Sequence, residues 1–388
     1  MTLKTQFDSF LTEKERDLVA QAAQFAATHL SAGTQSVPST ERRALLKLAS
    51  TEGLAGMEVP SRYGGCGGTF SVRVRVCEEL ARHDAAFSFA LVNHHNVASR
   101  IANSAQESIK QKLLPQMLSG KTFSCTAMTE PQSGSDFVAM QTHAVPVEGG
   151  WILNGAKAWI TNAAFADVFL VYAQTDTALG AKGIAGFIVL SEDAGFARTD
   201  PYDASTVQAM EVGGFTLRDC FVSDDRVIYP APSGFMAAMN GVNHSRIHVA
   251  AMNAGMIEQS LHTTLTYGES HTAFGKPVLD YQGLKWSLAD VNTDLTALRL
   301  MLYTAAQAID SGQDAQNIAA MSKKYANDKA LHAISQCMQA MGAEGLRDQY
   351  PLTRHLNCAR AFCYTDGTPE MMNERISYLM RKPFRTNN

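Results

Sequence analysis

The sequence predicts an α+β protein of three parts, with helices over residues 1–120, a small β-sandwich or barrel over 121–235 and a four-helix bundle over 236–388. Three observations support this prediction. A chain of 388 residues is too long for one ordinary hydrophobic core. Apolar residues recur at helical spacing in both end regions. The middle region instead has short β-rich runs that are separated by Gly, Asp and Asn turns.

The first region has four predicted helices. The first is indicated by apolar residues near a 3.6 period, at Phe10, Leu18, Ala22 and Phe25. A second helix is expected from Leu45 onward, with Ser39 or Thr40 as its N-cap, and two more are expected over 70–104 and 106–118. Between them, residues 57–69 contain four glycines and predict a turn-rich loop.

Five strands are expected in the middle region, over residues 142–147, 150–153, 166–174, 186–190 and 213–222. The segment from Asn154 to Lys157 is expected to form a hairpin turn. The last region predicts long helices that pack antiparallel as a bundle, over residues 246–269, 281–311, 314–341 and 368–381.

The composition excludes several classes of protein. Hydrophobic residues make up 46% of the chain and charged residues 18%, and the net charge is −4 without any block of Lys or Arg. A nucleic-acid interface therefore has no electrostatic basis, and no apolar run reaches the ~20 residues of a membrane span. The seven cysteines are scattered without a C-x-x-C pair. We expect reduced thiols, no metal site and a cytoplasmic location.

Two segments of the middle region indicate chemistry. Residues 125–137 (CTAMTEPQSGSDF) combine small residues, hydroxyls and a turn, and residues 159–162 (WITN) place an aromatic side chain near a threonine on a predicted strand. A flat ring with hydrogen-bonding edges needs an apolar face and convergent hydroxyl or backbone donors. The joined pattern therefore favours a flavin site.

Together with the downstream segments Phe274-Gly275 and Tyr364–Thr368, this pattern resembles the acyl-CoA dehydrogenases over nearly the whole chain. The resemblance implies FAD as the cofactor. It implies that Thr129 and Thr161 hydrogen-bond the flavin ring, that Trp159 packs on it, and that Ser135 lies near the phosphate end and the substrate. Further implied contacts come from Thr126, Met128 and Gly134.

The resemblance implies a second group of FAD contacts in the last part of the chain, at His271, Phe274, Gln282, Gln339, Gly342 and Thr368. His271 stands where the family has an arginine that reaches the FAD pyrophosphate of a neighbouring subunit, and Ala343 stands where it has a glycine. A neutral histidine would hold phosphate less tightly than a guanidinium. Because these loops act across subunits in the family, we expect a homo-oligomer of at least two copies, and the resemblance implies a dimer of dimers, since family members are usually homotetramers.

The implied catalytic base is Asp366, which stands where most family members have a glutamate. Arg246 matches the family's arginine near the flavin and the base, and Gly367 joins Asp366 in the implied substrate contact. Ser245 occupies an alternative base position and cannot abstract a carbon-bound proton. Aspartate is shorter than glutamate by one methylene, about 1.5 Å, so the substrate has to come closer. A second interpretation is that Asp366 caps the last helix.

The resemblance implies α,β-dehydrogenation of an acyl thioester, carried by CoA or by a carrier protein, with an electron-transfer flavoprotein as electron acceptor. Two alternatives stay open: a flavin oxidase similar to nitroalkane oxidase, which also uses an aspartate base, and a flavin-binding scaffold without turnover. A weaker set of acid–base candidates flanks the implied acyl site, with solvated helix faces as the simpler interpretation: Glu78, Glu79, His83, Asp84, His94 and His95.

Overall fold

The computed structural model describes residues 3–30, 37–202 and 210–384. The chain divides into two compact units, each drawn from separate stretches of sequence. The helical unit comprises Met1–Ser36, Thr69–Ser88 and Asn243–Asn388, and the sheet unit comprises Val37–Gly68 and Phe89–Val242. The predicted order of helices, sheet and helices is confirmed.

Among the residues that the structure describes, six helices precede the sheet: α1 Leu3–Asp8, α2 Glu13–His29, α3 Ser39–Thr51, α4 Phe70–His83, α5 Ala85–Ser104 and α6 Glu107–Leu118. Helix α2 begins with a capping box, because the Thr12 hydroxyl accepts from the Glu15 N–H while the Glu15 carboxylate accepts from the Thr12 N–H. Helix α3 begins at Ser39, after Pro38, so the predicted caps at Ser39 and Thr40 are wrong. Proline has already fixed the backbone before the first turn.

The continuous helix predicted over residues 70–104 is broken at Asp84. This residue has an extended backbone (φ −147°, ψ 99°), and its carboxylate accepts from the Phe87 N–H at 2.9 Å. Asp84 therefore ends α4 and caps the first turn of α5. The apolar periodicity continues through the break, which explains why the pattern alone did not reveal it.

Eight strands of the described part of the chain form one hydrogen-bonded sheet: β1 Ser124–Ala127, β2 His143–Val147, β3 Gly150–Ile160, β4 Val168–Gln174, β5 Ile184–Leu190, β6 Phe196–Arg198, β7 Gly213–Ser223 and β8 Val227–Tyr229. Their order is β6-β7-β3-β2-β4-β5-β8, and β1 pairs with β4 in parallel. Phe169, Phe187 and Phe215 are completely buried in the core of this sheet. The short strands β1, β6 and β8 were not predicted, since each has too few residues to show an alternating pattern.

The hairpin predicted at Asn154–Lys157 is wrong. These residues lie inside β3, which pairs with β2 on one side and β7 on the other. The β3–β7 register shifts between Leu153 and Gly155 and again between Lys157 and Ile160. These irregularities place β-bulges in the strand that carries the predicted flavin residues.

The last region contains α7 Ser233–Ser270, α8 Gln282–Asp310, α9 Gln316–Met341, α10 Leu352–Phe362 and α11 Pro369–Arg381. Helix α7 starts at Ser233, so Arg246 lies inside this helix and is not its first residue as predicted. A small hairpin, β9 Thr272–Ala273 and β10 Lys276–Pro277, precedes α8.

A buried group of charges connects α4 and α8. The Glu78 carboxylate is 0% exposed and accepts hydrogen bonds from Arg75 Nη1 at 2.9 Å, Arg299 Nε at 2.7 Å and the Tyr303 hydroxyl at 2.6 Å. Glu79 accepts from Arg75 Nη2 at 2.8 Å. Burial of these carboxylates is tolerated because each has a cationic donor.

The described residues were searched for membrane-spanning helices and for groups of metal ligands. Among them, no helix has the length and apolarity needed to cross a membrane, and no three His, Cys, Asp or Glu side chains are grouped as metal ligands. The seven cysteines are free thiols, and all except the half-buried Cys66 are buried. Their burial agrees with the expectation that most of these side chains pack in the core.

Candidate functional site

In the sheet unit, the loop after β1 is held by a buried ion pair. Lys157 Nζ lies 2.8 Å from Glu130 Oε1 and donates to the Met128 carbonyl at 3.0 Å, and the Ala158 N–H donates to the Thr129 carbonyl at 3.0 Å. Glu130 also accepts from the N–H groups of Gln141 and Thr142. The backbone of the predicted flavin loop is therefore fixed on β3 by residues that sequence analysis did not select.

The pair has a high cost of burial. Lys157 and Glu130 are 2% and 3% exposed. Burial lowers the pKa of Lys157 to about 8, against the opposing effect of Glu130. Burial alone would raise the pKa of Glu130, but the Lys157 charge and the hydrogen bonds to Glu130 lower it overall. Both groups are charged at neutral pH and fix the loop through charge-assisted hydrogen bonds.

Trp159 has an unusual conformation for a strand residue. Its φ is +58°, its side chain is 61% exposed, and its ring centroid lies 4.6 Å from that of Tyr202. A large non-glycine residue in the left-handed region is strained, and such strain collects at functional sites. The second bulge of β3 thus holds a large aromatic plane outside the core.

The other flavin candidates of the sheet unit surround this strand and loop. Gly134 and Ser135 are exposed, Thr126, Met128 and Thr129 are half-buried, and Thr161 is 7% exposed. The Thr126 N–H donates to Asn93 Oδ1 at 3.2 Å. An exposed aromatic plane, hydroxyls at two depths and an exposed loop glycine fit a flat cofactor with polar edges. The residues present therefore fit the flavin that the sequence indicates.

In the helical unit, Asp366 and Gly367 form a turn in which both residues have positive φ, 53° and 97°. Aspartate tolerates this region better than most residues, and a Cβ on Gly367 would lie 2.8 Å from Met372 Cε. The turn precedes α11, whose N-cap is Thr368: its hydroxyl accepts from the Met371 N–H at 3.4 Å. The alternative interpretation, Asp366 as the helix cap, is wrong because Thr368 occupies that position.

Two cations, the half-buried Arg246 and the buried Lys323, contact the carbonyls of this turn. Arg246 Nε on α7 donates to the Asp366 carbonyl at 3.2 Å, and Lys323 Nζ on α9 donates to the Gly367 carbonyl at 2.5 Å. Burial lowers the pKa of Arg246, although Asp366 opposes the effect. Sequence analysis predicted a site role for Arg246 and missed Lys323, which stands in an ordinary helical pattern without a motif of its own.

The β9–β10 hairpin carries two predicted contacts. Phe274 and Gly275 form its two-residue loop with φ of 50° and 83°, as a type I′ turn requires. The Phe274 side chain is 99% exposed. His271 is exposed and stacks on Tyr267 with ring centroids 4.8 Å apart, and Gln282 is the first, exposed residue of α8.

Gln339 and Gly342 lie at the end of α9, and both are exposed. The Gly342 N–H donates to the Gln339 carbonyl, and Gly342 has φ 61° and ψ −146°, a conformation that favours glycine. Ala343 follows in the same exposed turn. These residues are therefore accessible to a partner molecule.

The weaker acid–base candidates are not on solvated helix faces, so that expectation is wrong. Glu78 and Glu79 belong to the buried charge group, Asp84 caps α5, and burial lowers the pKa of His83. His94 Nδ1 accepts from the Ser124 N–H at 3.1 Å, and burial lowers the pKa of His94 to about 4. His95 contacts the Ala55 carbonyl at 2.9 Å and Glu58 at 3.1 Å. These contacts are structural, and most of these side chains have no access to solvent.

The three parts of the chain match three family models: acyl-CoA dehydrogenase N-terminal domain over residues 12–121, middle domain over 125–220 and C-terminal domain over 232–379. The chain belongs to the acyl-CoA dehydrogenase family. Members of this family are FAD-dependent oxidoreductases, and this chain is one of them. Isovaleryl-CoA dehydrogenase of Solanum tuberosum is 29% identical over 378 residues, which cover 95% of this chain and 92% of that protein.

Solved structures agree with this assignment. A glutaryl-CoA dehydrogenase from Mycobacterium smegmatis in complex with FADH2 superposes with a TM-score of 0.89 at 27% identity, covering 97% of this acyl-CoA dehydrogenase family member and 96% of that chain. A prolyl acyl carrier protein oxidase superposes with a TM-score of 0.87 at 25% identity, covering 95% and 99%. The structures that this chain resembles therefore have different acyl carriers, CoA and an acyl carrier protein, in their names.

Proposed function

We propose that this protein catalyses the FAD-dependent α,β-dehydrogenation of an acyl thioester, with Asp366 as the base that removes the α-proton. The observation that carries the proposal is the Asp366–Gly367 turn. A carboxylate stands there at positive φ, directly before the N-terminus of α11 and beside two cationic side chains. An aspartate carboxylate can act as a general base, and the two cations fix the backbone that presents it.

The chain's residues have distinct tasks in this reaction. The Asp366 N–H donates to the thioester carbonyl, so negative charge that develops on its oxygen is stabilised and the α-C–H becomes more acidic. An Asp366 carboxylate oxygen takes the α-proton. Bound FAD supplies the acceptor for the β-hydrogen, which leaves as hydride while the α,β double bond forms. Because aspartate is short, short, cyclic or α-branched acyl groups suit this base best.

The sheet unit supplies the proposed contacts to the flavin ring. Trp159 offers its exposed plane, Thr129 and Thr161 offer hydroxyl and backbone groups, and Ser135 offers a hydroxyl at the phosphate end and to the substrate. Thr126, Met128 and Gly134 complete this set. The strained Trp159 backbone and the Glu130–Lys157 pair support the assignment, since both fix the geometry before any ligand binds.

Contacts across subunits extend the proposal. His271, Phe274, Gln282, Gln339 and Gly342 would serve the adenosine and pyrophosphate part of FAD in a neighbouring copy. The Phe274 side chain is 99% exposed and is therefore accessible to a neighbouring copy, as this contact requires. The active species would be a homo-oligomer, with an electron-transfer flavoprotein as acceptor and a cytoplasmic location. Domain boundaries near residues 120 and 235 are part of the proposal.

A second candidate is a flavin oxidase on the same fold. The aspartate at the base position favours it, because the sequence shares that feature with nitroalkane oxidase, and one similar structure is a prolyl acyl carrier protein oxidase. Peroxide formed in proportion to substrate would identify this activity. The third candidate, a flavin-binding scaffold, predicts FAD binding without reduction by any substrate.

The deciding experiment is anaerobic bleaching of the purified yellow protein by a panel of acyl-CoAs, repeated with Asp366→Asn. Asparagine keeps the size of the side chain and tolerates positive φ, so the turn is preserved while the base is lost. We expect one acyl class to bleach the native protein and the variant to bleach at least ~10³-fold more slowly. Unchanged bleaching by Asp366→Asn would overturn the role of Asp366. If no acyl-CoA bleaches native protein that holds FAD, carrier-bound acyl groups and nitroalkanes are tested next.

A further inference from the structure

We infer that Lys323 is a positioning residue for the reaction: its ammonium group holds the Asp366–Gly367 turn through the Gly367 carbonyl and so aligns the Asp366 carboxylate. The inference rests on the proposed function, because it assigns to Lys323 the task of placing the proposed base. It goes beyond the family resemblance, which pointed to Arg246 and Asp366 and not to Lys323.

The contacts of the turn support this inference. Lys323 Nζ donates to the Gly367 carbonyl at 2.5 Å, and Arg246 Nε donates to the preceding carbonyl, that of Asp366, at 3.2 Å. Two consecutive peptide planes are thus oriented by two cationic donors from different helices. Both residues of the turn have positive φ, a conformation that an aspartate keeps only where its surroundings determine it.

The burial of Lys323 indicates a purpose beyond packing. Its side chain is 0% exposed, and the acceptor of its hydrogen bond is a neutral carbonyl. Burial of an ammonium group is costly, whereas a methionine would fill similar space on α9 without that cost. A lysine at this place therefore sacrifices stability for a strong, charge-assisted hydrogen bond to one turn.

A short base needs accurate placement. The carboxylate of Asp366 has about 1.5 Å less reach than a glutamate at the same position, so it has less freedom to compensate for a shifted backbone. Misplacement of a reacting group by ~1 Å can lower a rate by ~10²-fold. Fixing the turn from two sides is thus more valuable with an aspartate than with a longer side chain.

The charge of Lys323 changes within an accessible pH range. Burial lowers the pKa of Lys323 to about 8, with Asp366 opposing and Arg246 adding to the effect. The titratable groups that face Lys323 are Asp366, Arg246 and Cys363, and burial raises the pKa of the Cys363 thiol. Above pH ~8 the neutral amine binds the carbonyl more weakly, so the turn loosens and proton abstraction slows.

The test compares Lys323→Met and Lys323→Arg with Lys324→Met as a matched control. Lys324 is the next residue of α9, is solvent-accessible and pairs with Asp328 at 3.1 Å. The rate of anaerobic bleaching is followed from pH ~6 to ~10 with the acyl-CoA that bleaches the native protein. Hydrogen exchange of the peptide over residues 363–368 in the FAD-loaded protein is the readout that does not depend on turnover.

We expect the native protein and Lys324→Met to lose rate as pH rises through about 8. Lys323→Met should be at least ~10-fold slower at neutral pH, should lack that decline, and should exchange faster over residues 363–368. Lys323→Arg keeps its charge throughout this range and should also lack the decline. If Lys323→Met does not bind FAD, the pH profile of Lys323→Arg decides instead.

Two results would overturn the inference. One is that Lys323→Met has the same bleaching rate, pH profile and hydrogen-exchange rate as the native protein. The other is a decline near pH 8 that persists in Lys323→Arg. If no acyl-CoA bleaches even the native protein, CoA as the acyl carrier in the proposed function fails instead, and the exchange of residues 363–368 still decides whether Lys323 holds the turn.

Discussion

Lys157 Nζ lies 2.8 Å from Glu130 Oε1, and both side chains are almost completely buried. The residues of segment 125–137 therefore have two different tasks. Glu130, in its centre, fixes the loop on β3. The neighbouring hydroxyls and glycine remain available for a ligand. A buried ion pair of this kind is costly to form and still more costly to break.

Breaking the pair should therefore unfold the loop or the whole unit. We expect Lys157→Met to lower the free energy of unfolding by ~3–5 kcal/mol, because Glu130 is left charged and buried. Adding Glu130→Gln should recover part of the loss, since the remaining amide is neutral. Urea unfolding monitored by circular dichroism measures both. Equal stability of the native protein and the single variant would contradict the structural task of the pair.

Replacing Trp159 should weaken FAD binding without lowering the stability of the protein. Glycine relieves the positive φ of Trp159, worth ~1 kcal/mol, and little burial is lost because the ring is exposed. Trp159→Gly should thus be at least as stable as the native protein, whereas its FAD dissociation constant should rise ~10-fold through the loss of a stacking contact. Flavin fluorescence titration of the apoprotein gives the constant.

A second exposed tryptophan offers a matched control for this measurement. Trp286 on α8 is 63% exposed, and Trp286→Ala should leave the FAD dissociation constant as in the native protein. Weak FAD binding in both variants to the same degree would assign the effect to general loss of aromatic surface and not to Trp159.

The charges around Glu78 predict sensitivity to acid. Burial opposes ionisation, but Arg75 and its neighbours lower the pKa of Glu79 to about 2, and Arg299 and Arg75 lower the pKa of Glu78. Because the folded-state pKa values lie below the unfolded ones, this stabilisation is complete above pH ~4.5 and is lost as pH falls toward 2. Glu78→Gln should destabilise by ~3–5 kcal/mol at pH 7. Thermal unfolding across this pH range, with the exposed Glu13→Gln as control, tests both statements.

Replacing Phe274 should preserve the β9–β10 hairpin but weaken the association between copies of the chain. Asparagine before glycine is the preferred pair for a type I′ turn, so Phe274→Asn should maintain or slightly raise thermal stability. If the exposed ring contacts another copy, the variant should form smaller particles and retain less FAD. Light scattering and flavin absorbance report on both. An unchanged particle size with full FAD content would refute the proposed contact.

The sequence contained most of the fold, because helices and longer strands are encoded by local periodicity. It did not reveal the break at Asp84, where apolar spacing continues through a capping residue, or the extension of β3 through Asn154–Lys157, where polar and small residues suggested a turn. Asp366 could be predicted as a site residue because a recognisable motif surrounds it. Lys323 was not, since its importance comes from a carbonyl 44 residues away in the chain, which no local pattern encodes.

The composition of the two units has a consequence for synthesis on the ribosome. The sheet unit uses no residue beyond Val242, whereas the helical unit needs both the first residues and the stretch after Asn243. During translation, Glu130 and Lys157 can find each other while α9 and α11 have not yet been made. The loop proposed for the flavin can thus mature early, and the base at Asp366 receives its supporting helices only near the end of elongation.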